Sequence, residues 1–168
     1  MFPASIACGM VHVGIGYDVH AFAAGRKLIL GGVEIPHAKG LEGHSDADVL
    51  MHAICDAILG ALGEPDIGHF FPNTDPRWKG APSKAFLQEA ARQVALRKGK
   101  IVNVDSTVIA QAPKIFPHLR DMKSRIAEAL NLDVQRVGIK ATTNERMGFI
   151  GREEGIAAMA VASVDLPE

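Results

Sequence analysis

The sequence has only two cysteines, Cys8 and Cys55, and they form neither a CxxC pair nor a disulfide-like spacing. That excludes a disulfide scaffold and suits a reducing compartment. Long apolar runs are also missing: no stretch approaches the roughly 20 residues that a bilayer-spanning helix requires. The opening MFPASIACGM has neither a basic n-region nor a sustained apolar core, so residues 1–10 read as a disordered tail, with a transit-peptide remnant as the alternative. Charge of one sign is absent too. With 18 Lys and Arg against 19 Asp and Glu, the formal net charge is −1, which leaves no broad basic field to hold nucleic acid. Repeats and low-complexity segments are lacking. What remains is a chain of 168 residues, 48% hydrophobic, long enough to bury one core, and residues 11–168 are expected to form a single domain.

VHVGIGYDVH alternates, with β-branched residues at Val11, Val13, Ile15 and Val19, and predicts a strand with Asp18 and His20 near its exit. RKLILGGVEIP predicts a hairpin turning at Gly31-Gly32, and HAKGLEGHS a loop. Ser45 fits an N-cap, with Asp48 in a capping-box position, for a helix running to about Leu62. Between Glu64 and Pro82 lie four prolines and two glycines, a loop of the length usually kept for function. Ser83 fits the cap of a second helix to about Lys98, and Leu119, Met122, Ile126 and Leu130 mark a third. Strands are expected at KIVNVDSTVIA, RVGIKAT and GIAAMAVASVDL. The pattern predicts an α/β (α+β) single domain: a mixed β-sheet with three helices packed on one face, plus a small β-hairpin.

Asp48, His52 and Asp56 recur every four residues on an otherwise apolar helix, forming one polar stripe opposite Val49, Ile54 and Ala57. Capping alone accounts for Asp48. Taken alone, His52 reads as a core histidine satisfied by hydrogen bonds. The stretch YDVH changes the balance. Side chains two apart on a strand share a face, so Asp18 and His20 present an oxygen and a nitrogen side by side. With His52 as a third ligand they would leave one position open, the arrangement of a catalytic rather than a structural zinc. His44 and Ser45 stand just before the helix N-terminus, where backbone donors favour an anion such as phosphate, although each is equally explained as a loop or capping residue. Thr142, Thr143, Glu145, Arg152 and Glu154 fall in a turn between two apolar strands; they fit a phosphate and a hard cation such as magnesium, or simply a solvated turn. Lys114, between prolines, sits in a rigid loop that could frame a nucleotide base.

Together GIGYDVHAF, LGGVEIPHAKGLEGHSDADVLMHAICDAILGA, DIGHFFPNTDPRWKGAPS, NVDSTVIAQAPKIFPH and VGIKATTNERMGFIGREEGIAAMAV resemble one family, 2-C-methyl-D-erythritol 2,4-cyclodiphosphate synthase, in its order and over nearly the whole chain. The resemblance implies the fold of that family and a reaction of the non-mevalonate isoprenoid pathway. The 2-phosphate of 4-diphosphocytidyl-2-C-methyl-D-erythritol 2-phosphate attacks the β-phosphorus, and CMP leaves. It further implies Asp18, His20 and His52 as ligands of Zn2+, Glu145 as ligand of Mg2+ or Mn2+, and His44 and Thr143 as stabilisers of the pentavalent transition state. Ser45, Asp56, Asp66, Ile67, Gly68, Phe71, Asn73, Asp75 and Thr142 correspond to residues around the phosphates and the erythritol unit. Ala110, Pro113, Lys114 and Ile115 correspond to the cytidine pocket. Phe149, Arg152 and Glu154 correspond to residues near the threefold axis of a homotrimer, whose active sites lie between subunits and whose central cavity can hold an isoprenoid diphosphate.

Departures from the family pattern are Asn73 and Asn144, where Asp and Thr are usual, and Pro65-Asp66 for Gly-Asp; none touches an implied metal ligand. Two rival readings use the same residues. A metal-dependent phosphohydrolase would employ water as nucleophile, and a non-enzymatic trimeric binding module would use the metal structurally. The second ordinarily needs four protein ligands, and only three stand out. The expected location is a bacterial cytoplasm first and a plastid-type organelle second, without a membrane anchor.

Overall fold

The computed structural model describes residues 10–72 and 74–167. Of the tail expected at residues 1–10, only Met10 falls within that span, and it already belongs to a strand; Cys8 and Asn73 lie outside the described residues. The chain runs β1 (Met10–Ala23), β2 (Leu28–Leu30), β3 (Val33–Ile35), β4 (Gly40–Leu41), α1 (Val49–Ala61), α2 (Ile67–Phe70), α3 (Lys84–Leu96), β5 (Lys100–Ile109), α4 (Leu119–Leu130), β6 (Val137–Thr142), α5 (Gly148–Gly151) and β7 (Gly155–Leu166). Five strands form one sheet in the order β4-β1-β7-β5-β6, and β2 with β3 forms the separate hairpin. Only β5 and β6 pair in parallel, because α4 supplies the crossover that a parallel pair needs. The expected mixed sheet, three principal helices and hairpin are all present.

Helix α1 is the centre of the molecule. It packs on β1 and β7 and is backed by α3, so it is apolar nearly all round, as a helix enclosed on two sides must be. Leu50, Ile54 and Ile58 have no solvent exposure, and each such side chain contributes about 1.5–3 kcal/mol by burial. The close approach depends on Gly14 and Gly16 of β1: a Cβ on them would stand 2.0 Å from the Ala57 carbonyl oxygen and 1.9 Å from that of Ala53.

The even-numbered residues of β1 face α1; the odd ones face out. Val13 and Ile15 are 66% exposed and Tyr17 is 52% exposed. Across the ladder Ile15 pairs with Val161 and Tyr17 with Met159, both of β7 and both exposed. The β-branched pattern in β1 thus marks an uncovered apolar strip and not the core.

Several local expectations are corrected. Asp48, not Ser45, is the N-cap of α1: its carboxylate accepts from Met51 N at 3.1 Å. It also accepts from Gly31 N at 2.9 Å and Gly32 N at 2.6 Å, so it fastens the hairpin turn to the helix. Both turn glycines have positive φ (58° and 74°), as the Gly-Gly signal predicts. The Ser83 side chain makes no cap bond to α3; its hydroxyl turns instead to Asp46. HAKGLEGHS contains β4, whose two residues are too few to show a period, and the proline-rich loop contains α2 and a 3-10 turn at Pro76–Trp78. No helix among the described residues is long and apolar enough to cross a membrane.

Candidate active site

Two elements bring three side chains to one point. Asp18 and His20 project from the α1 side of β1, and His52 projects from α1 toward them. Asp18 Oδ2 lies 2.9 Å from His20 Nε2 and 3.0 Å from His52 Nδ1, and the two ring nitrogens are 3.2 Å apart. A tetrahedral ion with ligand bonds near 2.1 Å separates its ligand atoms by about 3.4 Å, so the triangle has nearly the size of one tetrahedral face. Its remaining contacts orient the rings. His20 Nδ1 is 2.6 Å from the Glu42 carbonyl oxygen, which can only accept, so Nδ1 carries the hydrogen and the Nε2 lone pair points to the triangle. Burial by itself would push the Asp18 carboxyl up, but hydrogen bonds and charges from His20 and His52 outweigh it and hold the group well below the usual carboxylate range. Burial lowers His20, while its hydrogen bond to Asp18, the Asp18 charge and the Glu42 carbonyl raise it, with a net upward shift. One carboxylate and two imidazoles, three ligands and not four, fit a divalent cation with a vacant coordination position.

The triangle opens into a cavity of about 220 Å³, whose wall includes His44, Ser45, Ile67, Gly68 and Phe71. His44 Nε2 lies 3.4 Å from the Asp75 carbonyl oxygen across this mouth. Asp56 does not reach the triangle; half-buried, it accepts from Ile67 N at 2.8 Å and pins the α2 loop. Burial raises its carboxyl above the ordinary value. Asp66 caps α2, and Asp75 caps the 3-10 turn and is clasped by Arg77.

The other sequence-predicted residues gather elsewhere. Ala110, Pro113, Lys114, Ile115, Thr142 and Thr143 line a second cavity of about 230 Å³ at the ends of β5 and β6. Thr143 Oγ1 donates to Glu145 Oε1 at 2.9 Å. Asp18 pairs with Ala158, Ala158 with Val108, and Val108 with Ala141, so three strand spacings, about 14 Å, separate the metal triangle from the strand leading to Thr143. Phe149 is exposed, and Arg152 pairs with Glu154 at 2.7 Å.

Residues 11–165 match the model of the YgbB family. The chain belongs to the YgbB family. A 2-C-methyl-D-erythritol 2,4-cyclodiphosphate synthase of Caldicellulosiruptor bescii is 57% identical over 155 residues, covering 92% of this chain and 99% of that protein. The bifunctional enzyme IspD/IspF of Gluconobacter oxydans is 56% identical over 156 residues, 93% of this chain but 40% of that protein. The chain therefore spans about two fifths of the length of such bifunctional relatives. The solved structure of Plasmodium falciparum IspF in complex with CDP superposes with a TM-score of 0.83 at 34% identity, covering 95% of this chain and 99% of that one.

In this YgbB-family chain several site residues carried no sequence signal. Arg26 donates to the Gly43 and Ser45 carbonyls at 2.9 and 2.6 Å, holding the loop on either side of His44. Trp78 and Phe86 complete the cavity wall, packed against Phe71 with ring centroids 4.9 and 4.4 Å away. Ser83 Oγ lies 2.8 Å from His52 Nε2, a role hidden by its position as an apparent helix cap.

Proposed function

We propose that the protein converts 4-diphosphocytidyl-2-C-methyl-D-erythritol 2-phosphate into 2-C-methyl-D-erythritol 2,4-cyclodiphosphate and CMP, in the non-mevalonate isoprenoid pathway. The observation that carries this reading is the three-ligand triangle of Asp18, His20 and His52 opening into a cavity bordered by His44 and Ser45, in a YgbB-family chain. Zn2+ held by that triangle, and Mg2+ or Mn2+ held by Glu145, would neutralise phosphate charge that otherwise opposes attack of one anion on another.

The residues of the chain do the positioning. His44 and Ser45, at the cavity mouth, and Thr143, in the second cavity, offer donors to phosphate oxygens, whose negative charge grows at the pentavalent phosphorus. A 2-phosphate oxygen forms the new bond to the β-phosphorus as the bond to the α-phosphate breaks, and CMP departs with that bridging oxygen. An ionised phosphate needs no general base. Ile67, Gly68 and Phe71, on the loop pinned by Asp56, cover the erythritol unit. Asp66 and Asp75 belong to the same loop. The second cavity, framed by Ala110, Pro113, Lys114 and Ile115, takes the cytidine; a cytidine nucleotide as ligand is supported by the CDP complex of the Plasmodium relative.

The two half-sites stand too far apart in one chain for a diphosphate to bridge them. The exposed apolar strip of β1 and β7 supports a homotrimer in which the triangle of one subunit faces the second cavity of its neighbour. Phe149, Arg152 and Glu154 then border the axis, where an isoprenoid diphosphate can bind. The curated relatives named above come from bacteria, which supports a bacterial cytoplasm.

The deciding experiment is 31P NMR of the zinc- and magnesium-supplied protein with the cytidine diphosphate substrate. Formation of the cyclic diphosphate with stoichiometric CMP is expected. A linear phosphate product, or an unconsumed substrate, overturns the proposal.

A further inference from the structure

For His52 to give its Nδ1 lone pair to a cation beside Asp18 and His20, the ring must carry its hydrogen on Nε2. The surroundings of Nε2 decide this. Ser83 Oγ lies 2.8 Å away and Ser45 Oγ 3.3 Å away. A hydroxyl can donate or accept, so these contacts alone leave the direction open. Asp46 closes it. Its Oδ1 accepts from Asp48 N at 3.2 Å and from the Ser83 hydroxyl, and its Oδ2 accepts from Ser83 N at 3.0 Å. A carboxylate has no hydrogen to give, so the hydroxyl hydrogen of the buried Ser83 points to Asp46 and its lone pair faces His52.

We infer that Asp46 and Ser83 are positioning residues for the metal centre: the chain Asp46–Ser83–His52 holds the imidazole in the Nε2–H tautomer and commits Nδ1 to the cation. Neither residue touches the cavity that holds substrate. Three segments meet here, the loop before α1, the head of α3 and α1 itself, which explains why Ser83 turns away from its own helix. The inference rests on the Asp18–His20–His52 metal reading.

The test is zinc affinity without substrate, by competition with a chromophoric chelator, for the wild type, Ser83→Ala, Ser83→Thr and Asp46→Asn. Loss of an outer hydrogen-bond partner to a ligating histidine typically costs about 10–100-fold in metal affinity, and that loss is expected for Ser83→Ala. It is expected for Asp46→Asn too, because an amide hydrogen meeting Ser83 Oγ turns the hydroxyl toward His52 Nε2 and reverses the chain. Ser83→Thr retains the hydroxyl and should stay near wild type; should its methyl unfold the protein, Asp46→Asn carries the test. 15N spectra of the zinc-loaded proteins give an independent readout: the His52 Nε2–H signal reports a hydrogen bond to Ser83 Oγ in the wild type and shifts in Ser83→Ala and Asp46→Asn. Zinc affinity within about threefold of wild type in both Ser83→Ala and Asp46→Asn, or an unchanged His52 Nε2–H signal in both zinc-loaded variants, overturns the inference alone. A wild type that binds no zinc overturns the metal reading with it.

Discussion

Gly16 of β1 and Ala53 of α1 meet backbone to backbone: a Cβ on the glycine would lie 1.9 Å from the Ala53 carbonyl oxygen. Gly16 is two residues before Asp18, and Ala53 adjoins His52, so this contact sets the spacing of the Asp18–His20–His52 triangle. Gly16→Ala must lift the helix from the sheet. Overpacking of this kind costs about 1–3 kcal/mol, occasionally more, and here it also separates His52 from Asp18. Denaturant unfolding and metal analysis should show both losses; wild-type stability with a full complement of metal would contradict the packing argument.

Glu145 and the Asp18–His20–His52 triangle lie in different parts of one chain, across about three strand spacings. Glu145→Gln should therefore raise the magnesium concentration needed for turnover and leave bound zinc unchanged, as read by activity titration beside elemental analysis. Loss of both metals together would show the two positions to be one site.

Ile15 pairs with Val161 on the uncovered face of the sheet, and both are exposed. A charge placed there has to be desolvated when the strip is covered by another subunit, so Ile15→Lys should convert a trimer into monomers and abolish turnover without unfolding the domain. Sedimentation equilibrium checks this. An active wild-type monomer would remove the reason for a site shared between subunits.

Asp48 is fully buried. Burial, with the neighbouring Asp46 charge, pushes its carboxyl up from 3.8 to about 6, against the backbone donors of Gly32, Met51 and Gly31. A raised folded-state value means that the stability it contributes is complete below 3.8 and lost as pH rises through about 6. Measured against Asp48→Asn, which does not titrate, the relative stability of the wild type should fall between about pH 4 and pH 7 by something on the order of 3 kcal/mol. A difference independent of pH would show that the backbone donors prevail over burial.

The sequence made the sheet and the Asp18–His20–His52 cluster legible for the same reason: both have short periods. Two-residue spacing put Asp18 and His20 on one face, and a helical histidine with no capping role pointed to His52. The hairpin announced itself through Gly31-Gly32. The roles of Asp48 and Ser83 were not legible, because a carboxylate or hydroxyl before a helix looks like a cap whichever distant group it serves. Nor does an alternating strand say which face is covered: the β-branched Val13 and Ile15 face out, whereas Gly14 and Gly16 carry the helix. Arg26 acts through backbone carbonyls, which leave no trace in residue types.

The proposed chemistry requires a cation held by Asp18, His20 and His52. Anomalous diffraction at the zinc absorption edge, from crystals of the protein supplied with zinc, tests it most directly. One peak per chain is expected, about 2.0–2.2 Å from Asp18 Oδ2, His20 Nε2 and His52 Nδ1, and it should vanish in His52→Ala. No peak at that triangle, or a peak that survives the substitution, would contradict the account.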